Sequence, residues 1–192
     1  MPSTRPFATP ALALMALLAT HSLQAAAPNP VITTLWPAGA RAGTTVEVTV
    51  TGSGIAKQTQ LLCSAPGFQA GFLGSDKPPH FQITIPKSTP PGLYEIRLAG
   101  PDGISTPRTF QVGNRRETTE LEPNNTLPTA ATASINSILN GRILEPGDQD
   151  CFRFTATTGQ RVVLECWAER IDSALHPVLQ LFDPNGRLLQ VS

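Results

Sequence analysis

Hydrophobic and polar residues alternate in short runs between Pro28 and Gly113. The run TTVEVTVT directs Val46, Val48 and Val50 to one face, and the runs FQITI and LYEIRL repeat the pattern. A β-strand with one solvated face has this period of two. Four further runs, VITTLW, QLLC, FQAGF and RTFQV, extend the pattern. Together they predict about seven strands, at the spacing typical of an antiparallel β-sandwich.

The composition agrees with a loop-rich β protein. The 192 residues include 15 Gly and 19 Pro, yet 40% of the chain is hydrophobic and arranged in ordered runs rather than depleted. Breakers such as Pro90-Pro91-Gly92 separate these runs, and no helix is needed to explain them. The 14 Lys and Arg residues balance 14 Asp and Glu residues, which argues against a basic surface for nucleic acid.

Residues 1–27 have the pattern of a secretory signal peptide. The single charge of Arg5 precedes the apolar run ALALMALLA, and the segment ends in small residues. This run is shorter than the roughly 20 apolar residues of a membrane-spanning helix. Cleavage after Ala25 and cleavage after Ala27 both fit the pattern. We therefore expect an exported chain, periplasmic, cell-surface or extracellular, with no integral membrane segment after cleavage.

The first half resembles a known domain family. The stretch VITTLWPAGARAGTTVEVTVTGSGI resembles the start of an immunoglobulin-like IPT/TIG domain, and TPPGLYEIRL and TFQV resemble its last hairpin. The resemblance covers residues 28–113 and implies a first β-sandwich domain. It implies little about function, because such sandwiches serve both as spacers and as binding modules.

The second half begins after a polar stretch. Residues 114–119 lack apolar periodicity and are predicted to form a linker. Beyond it, the runs CFRFTA and RVVLECWA flank a Gly-bearing turn over Thr157–Gln160, and LQLF and RLLQV flank Asp183–Gly186. Both pairs are predicted to be β-hairpins.

This half resembles the bacterial pre-peptidase C-terminal domain, a secreted β-sandwich module. Its motifs occur here in order: Glu122-Pro123-Asn124-Asn125, Gly141-Arg142-Ile143, Asp148-Gln149-Asp150 with Phe152 and Phe154, Gly159-Gln160-Arg161-Val162, and Asp183 with Gly186. The resemblance implies a second, jelly-roll-like sandwich over residues 120–192. The fold class expected for the whole chain is thus all-β, with two tandem sandwiches after a signal peptide.

The second sandwich is expected to be incomplete. The family continues past the last hairpin with an acidic turn and a further strand, whereas only about five strands are visible after Glu120, which would leave edges or a face uncovered. We expect the sequence to be the N-terminal part of a larger polypeptide. The alternative is a short chain that completes its core by pairing with a partner.

A group of oxygen-bearing side chains is a candidate calcium site. Glu120, Glu122 and Asn124 occupy alternate positions, so an extended backbone points them the same way, and a turn after Pro123 would bring them closer. Calcium binds about six to eight oxygen ligands. Asp148 and Asp150, in the loop that enters the next hairpin, would add two more ligands if the start of the domain packs against that loop. The resemblance to calcium-binding relatives of this domain implies the same five residues. The alternative interpretation is a solvated acidic linker with turn-forming Asx residues.

The three cysteines are Cys63, Cys151 and Cys166. Export permits a disulfide, and one register of the hairpin would place Cys151 opposite Cys166. The other register buries Phe152 and Phe154 and separates the two cysteines. We favour the second register, and hence free, mostly buried thiols. No pair of cysteines has zinc-finger spacing.

No catalytic constellation is evident. His80 and His176 each adjoin a proline and lack a nucleophile motif around them. Trp36 and Trp167 have two open interpretations, because an exposed indole can stack on a sugar ring whereas a buried one fills a core. We expect a non-catalytic exported binding, adhesion or targeting module for a protein or polysaccharide. The alternative is the non-catalytic accessory region of a secreted peptidase.

Overall fold

The structure is a computed structural model that describes residues 28–74 and 78–192. The predicted signal peptide, 1–27, lies outside the described residues. Regular structure is almost entirely β, which confirms the predicted fold class, and the helical segments described are two short 3-10 turns, Leu127–Thr129 and Glu169–Ile171. Within the described ranges, no helix has the length and apolar character needed to cross a bilayer.

Nine strands form the first half. Two sheets result, one with the order β1-β3-β6-β5 and one with the order β2-β9-β7-β4, in which β8 pairs with β7. The strands are β1 (Val31–Trp36), β2 (Gly39–Arg41), β3 (Thr45–Ser53), β4 (Gln60–Cys63), β5 (Gln69–Gly74), β6 (His80–Thr84), β7 (Gly92–Gly100), β8 (Gly103–Ile104) and β9 (Arg108–Gly113). Strands β2 and β8 were not predicted, since two or three residues are too few to show alternation.

The predicted inward positions form the core of this sandwich. Each sheet turns one apolar face inward, and the side chains of both faces pack into a single cluster. Phe81 and Phe110 are fully buried, and the ring centroid of Phe81 lies 5.3 Å from that of Phe72. The other fully or nearly fully buried members include Val48, Val50, Ile83, Ile85, Ile96, Leu98 and Val112.

Six strands form the second half, but they pair only two by two. Strands β10 and β12 are parallel, β11 and β13 are parallel, and β14 and β15 form an antiparallel hairpin. Their bounds are β10 (Arg116–Thr119), β11 (Ala131–Thr132), β12 (Ser137–Asn140), β13 (Phe152–Arg153), β14 (Gln180–Phe182) and β15 (Leu188–Val191). The strands described here therefore do not form a closed sandwich, and the sequence predicted an incomplete one.

The segment predicted as a linker contains strand β10. Arg116–Thr119 pairs in parallel register with Ser137–Asn140 of β12. The strand is mostly solvent-exposed and is held by backbone hydrogen bonds, so its sequence carries no apolar alternation for a pattern to detect. Within the predicted linker, 114–119, residues Arg116–Thr119 therefore form a strand that pairs with the second half.

The two predicted hairpins have different outcomes. The Asp183–Gly186 turn forms, with its Asp183 side chain accepting the N–H groups of Asn185 and Arg187 at 2.9 Å, and β14 pairs with β15 as predicted. The Thr157–Gln160 turn also forms, but no strand follows it, and the predicted hairpin is wrong. Its second arm has no facing sheet to pack on, so Val163 and Leu164 stay exposed.

The contacts between the halves include a hydrogen bond and a cation–π pair. The N–H of Thr109 on β9 donates to Oδ2 of Asp172 at 2.7 Å. The guanidinium carbon of Arg142 lies 4.3 Å from the ring centroid of Trp36, close enough for a cation–π interaction.

Candidate metal centre

Two parallel strand pairs position the segment 120–124. The β10–β12 ladder ends with Thr119 opposite Asn140, and the N–H of Glu120 extends it by donating to the Asn140 carbonyl at 2.9 Å. At the other end, the Asn124 carbonyl accepts the N–H of Cys151 at 3.0 Å, next to the β11–β13 pair. The segment is thereby fixed between residues 140–142 on one side and 150–151 on the other.

This arrangement gathers three of the five predicted ligands. Carboxylate oxygens of Glu120, Glu122 and Asp150 all lie within 4.8 Å of one another. Leu121, between the two glutamates, is 81% exposed and points away, as the alternation predicts. Because ionised carboxylates repel at this distance, the cluster is unfavourable unless a proton or a cation offsets the charge.

The pKa values of Glu120 and Asp150 reflect that repulsion. Burial raises the pKa of Glu120 from 4.5 to about 7, the N–H of Arg142 at 2.5 Å opposes this rise, and the Asp150 and Glu122 charges add to it. Burial likewise raises the pKa of Asp150; the charges of Asp148 and Glu122 add to this rise, and the neighbouring Glu120 carboxyl, when protonated, opposes it.

Asn124 and Asp148 flank the three carboxylates. Asn124 is fully buried, and its backbone N–H donates to Oε2 of Glu122 at 2.8 Å. Asp148 accepts the N–H of Leu144 at 2.7 Å through Oδ2. Asp148 is not a member of the 4.8 Å carboxylate cluster.

Several buried oxygens in this region have no hydrogen-bond partner among the described residues. They are Oε2 of Glu120, Oδ1 of Asp150, Oδ1 of Asp148 and Oδ1 of Asn124. A buried polar atom that lacks a partner costs about 1–3 kcal/mol, and more when charged. Four such oxygens on the predicted residues fit a hard cation, whose ligands are oxygens.

Gly141 leaves the space in which two of the carboxylates meet. A Cβ at this position would lie 2.8 Å from Oδ2 of Asp150 and 2.9 Å from Oε2 of Glu120. Sequence reasoning placed Gly141 in a motif but gave it no role at the site. Outside the cluster, Glu117 on β10 also has a buried Oε1 without a partner among the described residues, and its pKa is raised by burial and lowered in part by the hydrogen bond from Asn140.

The described cysteines and histidines supply no ligand to this cluster. All three thiols are free, and burial raises the pKa of each, so they remain protonated at neutral pH. Cys63 and Cys151 are half-buried, but Cys166 is exposed, which corrects the expectation that it packs on an inner face. The exposure follows from the missing strand around it.

Comparisons with known proteins give one solved structure to report. No family model and no curated protein matches the chain. The chain is similar to SGBP-B of the Bacteroides ovatus mixed-linkage glucan utilization locus, solved in complex with a mixed-linkage heptasaccharide, with 21% identity and a TM-score of 0.35. The match covers 58% of this chain and 27% of that one. The resemblances to the IPT/TIG and pre-peptidase C-terminal domains stay predictions.

Proposed function

We propose that the chain is a non-catalytic, exported binding module whose second half is stabilised by calcium. The observation that supports the proposal most directly is the cluster of Glu120, Glu122 and Asp150, with unpartnered buried oxygens on it and beside it. Export is inferred from the signal-peptide pattern of residues 1–27, and the binding role from the architecture of stacked β-sheets.

Calcium is the cation that suits this donor set. The candidate ligands are carboxylate and amide oxygens on irregular backbone, whereas zinc sites use thiolate and imidazole groups. Magnesium requires near-ideal octahedral geometry, which a loop between two separate strand pairs supplies less readily. When bound, the ion would supply charge neutralisation to Glu120, Glu122 and Asp150, with Asn124 and Asp148 as the adjacent oxygen donors.

The second half has little hydrophobic core, so a bound ion would contribute a large share of its stability. Among its described residues only Asn124, Ala130 and Ala168 are buried, so hydrophobic packing contributes little to its stability. The cluster lies where the end of β10–β12 meets the start of β13. An ion held by Glu120 and Asp150 would join strand pairs that share no ladder.

A non-catalytic role agrees with the surroundings of the histidines. His80 contacts the carbonyl of Pro78 at 3.2 Å, and His176 pairs with Glu169 at 2.6 Å. Neither partner is a hydroxyl or thiol group, so neither described histidine has the partner of a Ser–His or Cys–His pair.

The Gly141→Ala variant tests the calcium site sterically. We expect calcium to raise the Tm of the parent chain and to leave the Tm of this variant nearly unchanged, because the new methyl group occupies the space between Glu120 and Asp150. The charges are unchanged, and no positive φ requires glycine at this position. Thermal melts with calcium and with a chelator measure the difference.

Gly71→Ala is the matched control. A Cβ at Gly71 meets no atom within 4 Å, so its calcium response should equal that of the parent. Equal calcium responses in the parent and Gly141→Ala would place any bound ion elsewhere. A parent chain that calcium does not stabilise would contradict the proposed site.

A further inference from the structure

A groove lies where the two halves meet, apart from the acidic cluster. It has a volume of about 290 Å³ and is lined by the ends of β7 and β9, the chain that follows β9, Ile138 of β12, and Trp167. None of its lining residues carries a carboxylate. The groove is therefore chemically unlike the candidate calcium site.

The loop that carries Trp167 is fixed to the first sandwich. Ala168 is buried, and its carbonyl accepts the N–H groups of Ile171 and Ser173, each at 3.0 Å. Strand β2 pairs with β9 only over Gln111–Gly113, which leaves the N–H of Thr109 free to donate to Asp172. Hydrogen bonds therefore restrain the loop both at Ala168, next to Trp167, and at Asp172.

The indole ring itself is also restrained. Arg170 lies 5.6 Å from the ring centroid of Trp167 and pairs with Glu165 at 2.5 Å. The pKa of Glu165 is lowered chiefly because Arg170 donates a hydrogen bond to its carboxylate. Trp167 is half-buried and lines the groove, so it keeps accessible surface there. Such restraint reduces the entropy lost when a ligand binds.

We propose that this groove binds a single sugar ring of a polysaccharide, with Trp167 as the stacking platform. A pyranose has an apolar C–H face and a rim of hydroxyl groups. The indole suits the face, while Gln111, Asn114 and Arg115 present amide and guanidinium groups for the rim. The proposal deepens the binding role proposed above, and it rests on that role.

Two features favour a sugar over a peptide. The volume of about 290 Å³ lies just below the range for ligand pockets, about 300–1,000 Å³, and so accommodates one ring better than an extended backbone. In addition, Arg115 belongs to none of the ion pairs formed by the described residues, so its guanidinium is available to hydroxyl or carboxylate oxygens.

Affinity electrophoresis of the full chain tests the proposal. The probes are soluble mixed-linkage β-glucan, galactomannan and polygalacturonate, each cast into native gels. We expect at least one probe to retard the parent, Trp167→Ala to bind it about tenfold or more weakly, and Trp167→Phe to recover part of the affinity. If the Arg115 guanidinium pairs with uronate carboxylates, Arg115→Gln should weaken binding to polygalacturonate more than binding to the glucan.

Trp36→Ala is the control, because Trp36 contacts Arg142 outside the groove. If Trp167→Ala binds the glycan as well as the parent, the groove is not the binding site, although the binding role itself stands. The same conclusion follows if Trp167→Ala and Trp36→Ala lose equal affinity. A parent that none of the three glycans retards would also overturn the proposed groove site. The calcium response of Trp167→Ala, measured separately, should match the parent and shows that the variant is folded.

Discussion

The Glu120→Gln variant is expected to be more stable than the parent without metal above pH 7, and to gain no stability from calcium. Burial holds the pKa of Glu120 at about 7 in the folded chain, against 4.5 for the free group. An amide at this position removes the repulsion with Asp150 and Glu122 while keeping an oxygen for the N–H of Arg142. It also removes a charged ligand from the proposed site.

The pH dependence of the metal-free parent has a definite sign. Since the folded pKa lies above the unfolded one, the folded chain holds an extra proton between pH 4.5 and about 7. Its free energy of unfolding should therefore fall as pH rises through this window. Because solvent screens this half-buried group, the free energy of unfolding should fall by only about 1 kcal/mol across the window. Calcium competes with the proton, so its stabilising effect should grow through the same window.

Urea unfolding across pH, with chelator and with calcium, measures both effects. Calcium at about 100 times its dissociation constant should stabilise the parent by about 2.7 kcal/mol. Glu47→Gln, which alters an exposed carboxylate on β3, is the matched control and should retain both the pH dependence and the calcium response. A metal-free parent that gains stability between pH 4.5 and 7 would contradict the assignment to Glu120.

The sequence predicted the first half well because its alternation has a single physical cause. Residues such as Val48, Val50, Phe81 and Ile83 recur with a period of two, and all four are fully buried between the sheets. Local chemistry also sufficed for the Asp183–Gly186 hairpin, since the aspartate side chain stabilises its own turn.

The same alternation misled us in the second half. Leu164 and Cys166 share a face in any strand, but burial requires a second sheet, and that is a property of the whole fold. Leu164 is 50% exposed, and no strand forms around it. Alternation indicates which side chains would face inward, but it does not reveal whether a facing layer exists.

The candidate site was predictable in part. The alternate spacing of Glu120 and Glu122 is a local signal, whereas Asp150 reaches them through tertiary contacts such as the Cys151 N–H donating to the Asn124 carbonyl, which no spacing reveals. Asp150 was predicted from a loop that could pack against the start of the domain, and from the resemblance. The role of Gly141 was not predictable, since it depends on side chains from both neighbouring segments.

The position of Arg142 links the cluster to the first sandwich. Its N–H donates to Glu120, and its guanidinium lies over the ring of Trp36. The contact is exposed to solvent and contributes about 0.5–1 kcal/mol at most. The stability of the first sandwich should therefore depend on its own core rather than on the metal site.

Phe81→Ala should accordingly destabilise the first sandwich by about 3–5 kcal/mol, the usual cost of deleting a buried phenylalanine ring. The side chain is fully buried between the sheets and packs against Phe72, so its loss leaves a cavity that the paired strands β3, β5 and β6 cannot close. This is a large share of the roughly 5–15 kcal/mol that stabilises a typical domain. Urea unfolding measures the loss as a lower midpoint at unchanged slope.

A graded series keeps this prediction testable if Phe81→Ala does not fold. Ile83→Val removes one methylene from the same strand and should cost about 0.5–1.5 kcal/mol, while Leu62→Ala, at a 44% exposed position on β4, should stay within about 0.5 kcal/mol of the parent. Because the acidic cluster lies wholly outside this core, Ile83→Val should leave the calcium increment unchanged. If Leu62→Ala were as costly as Ile83→Val, the assignment of inner and outer faces would be wrong.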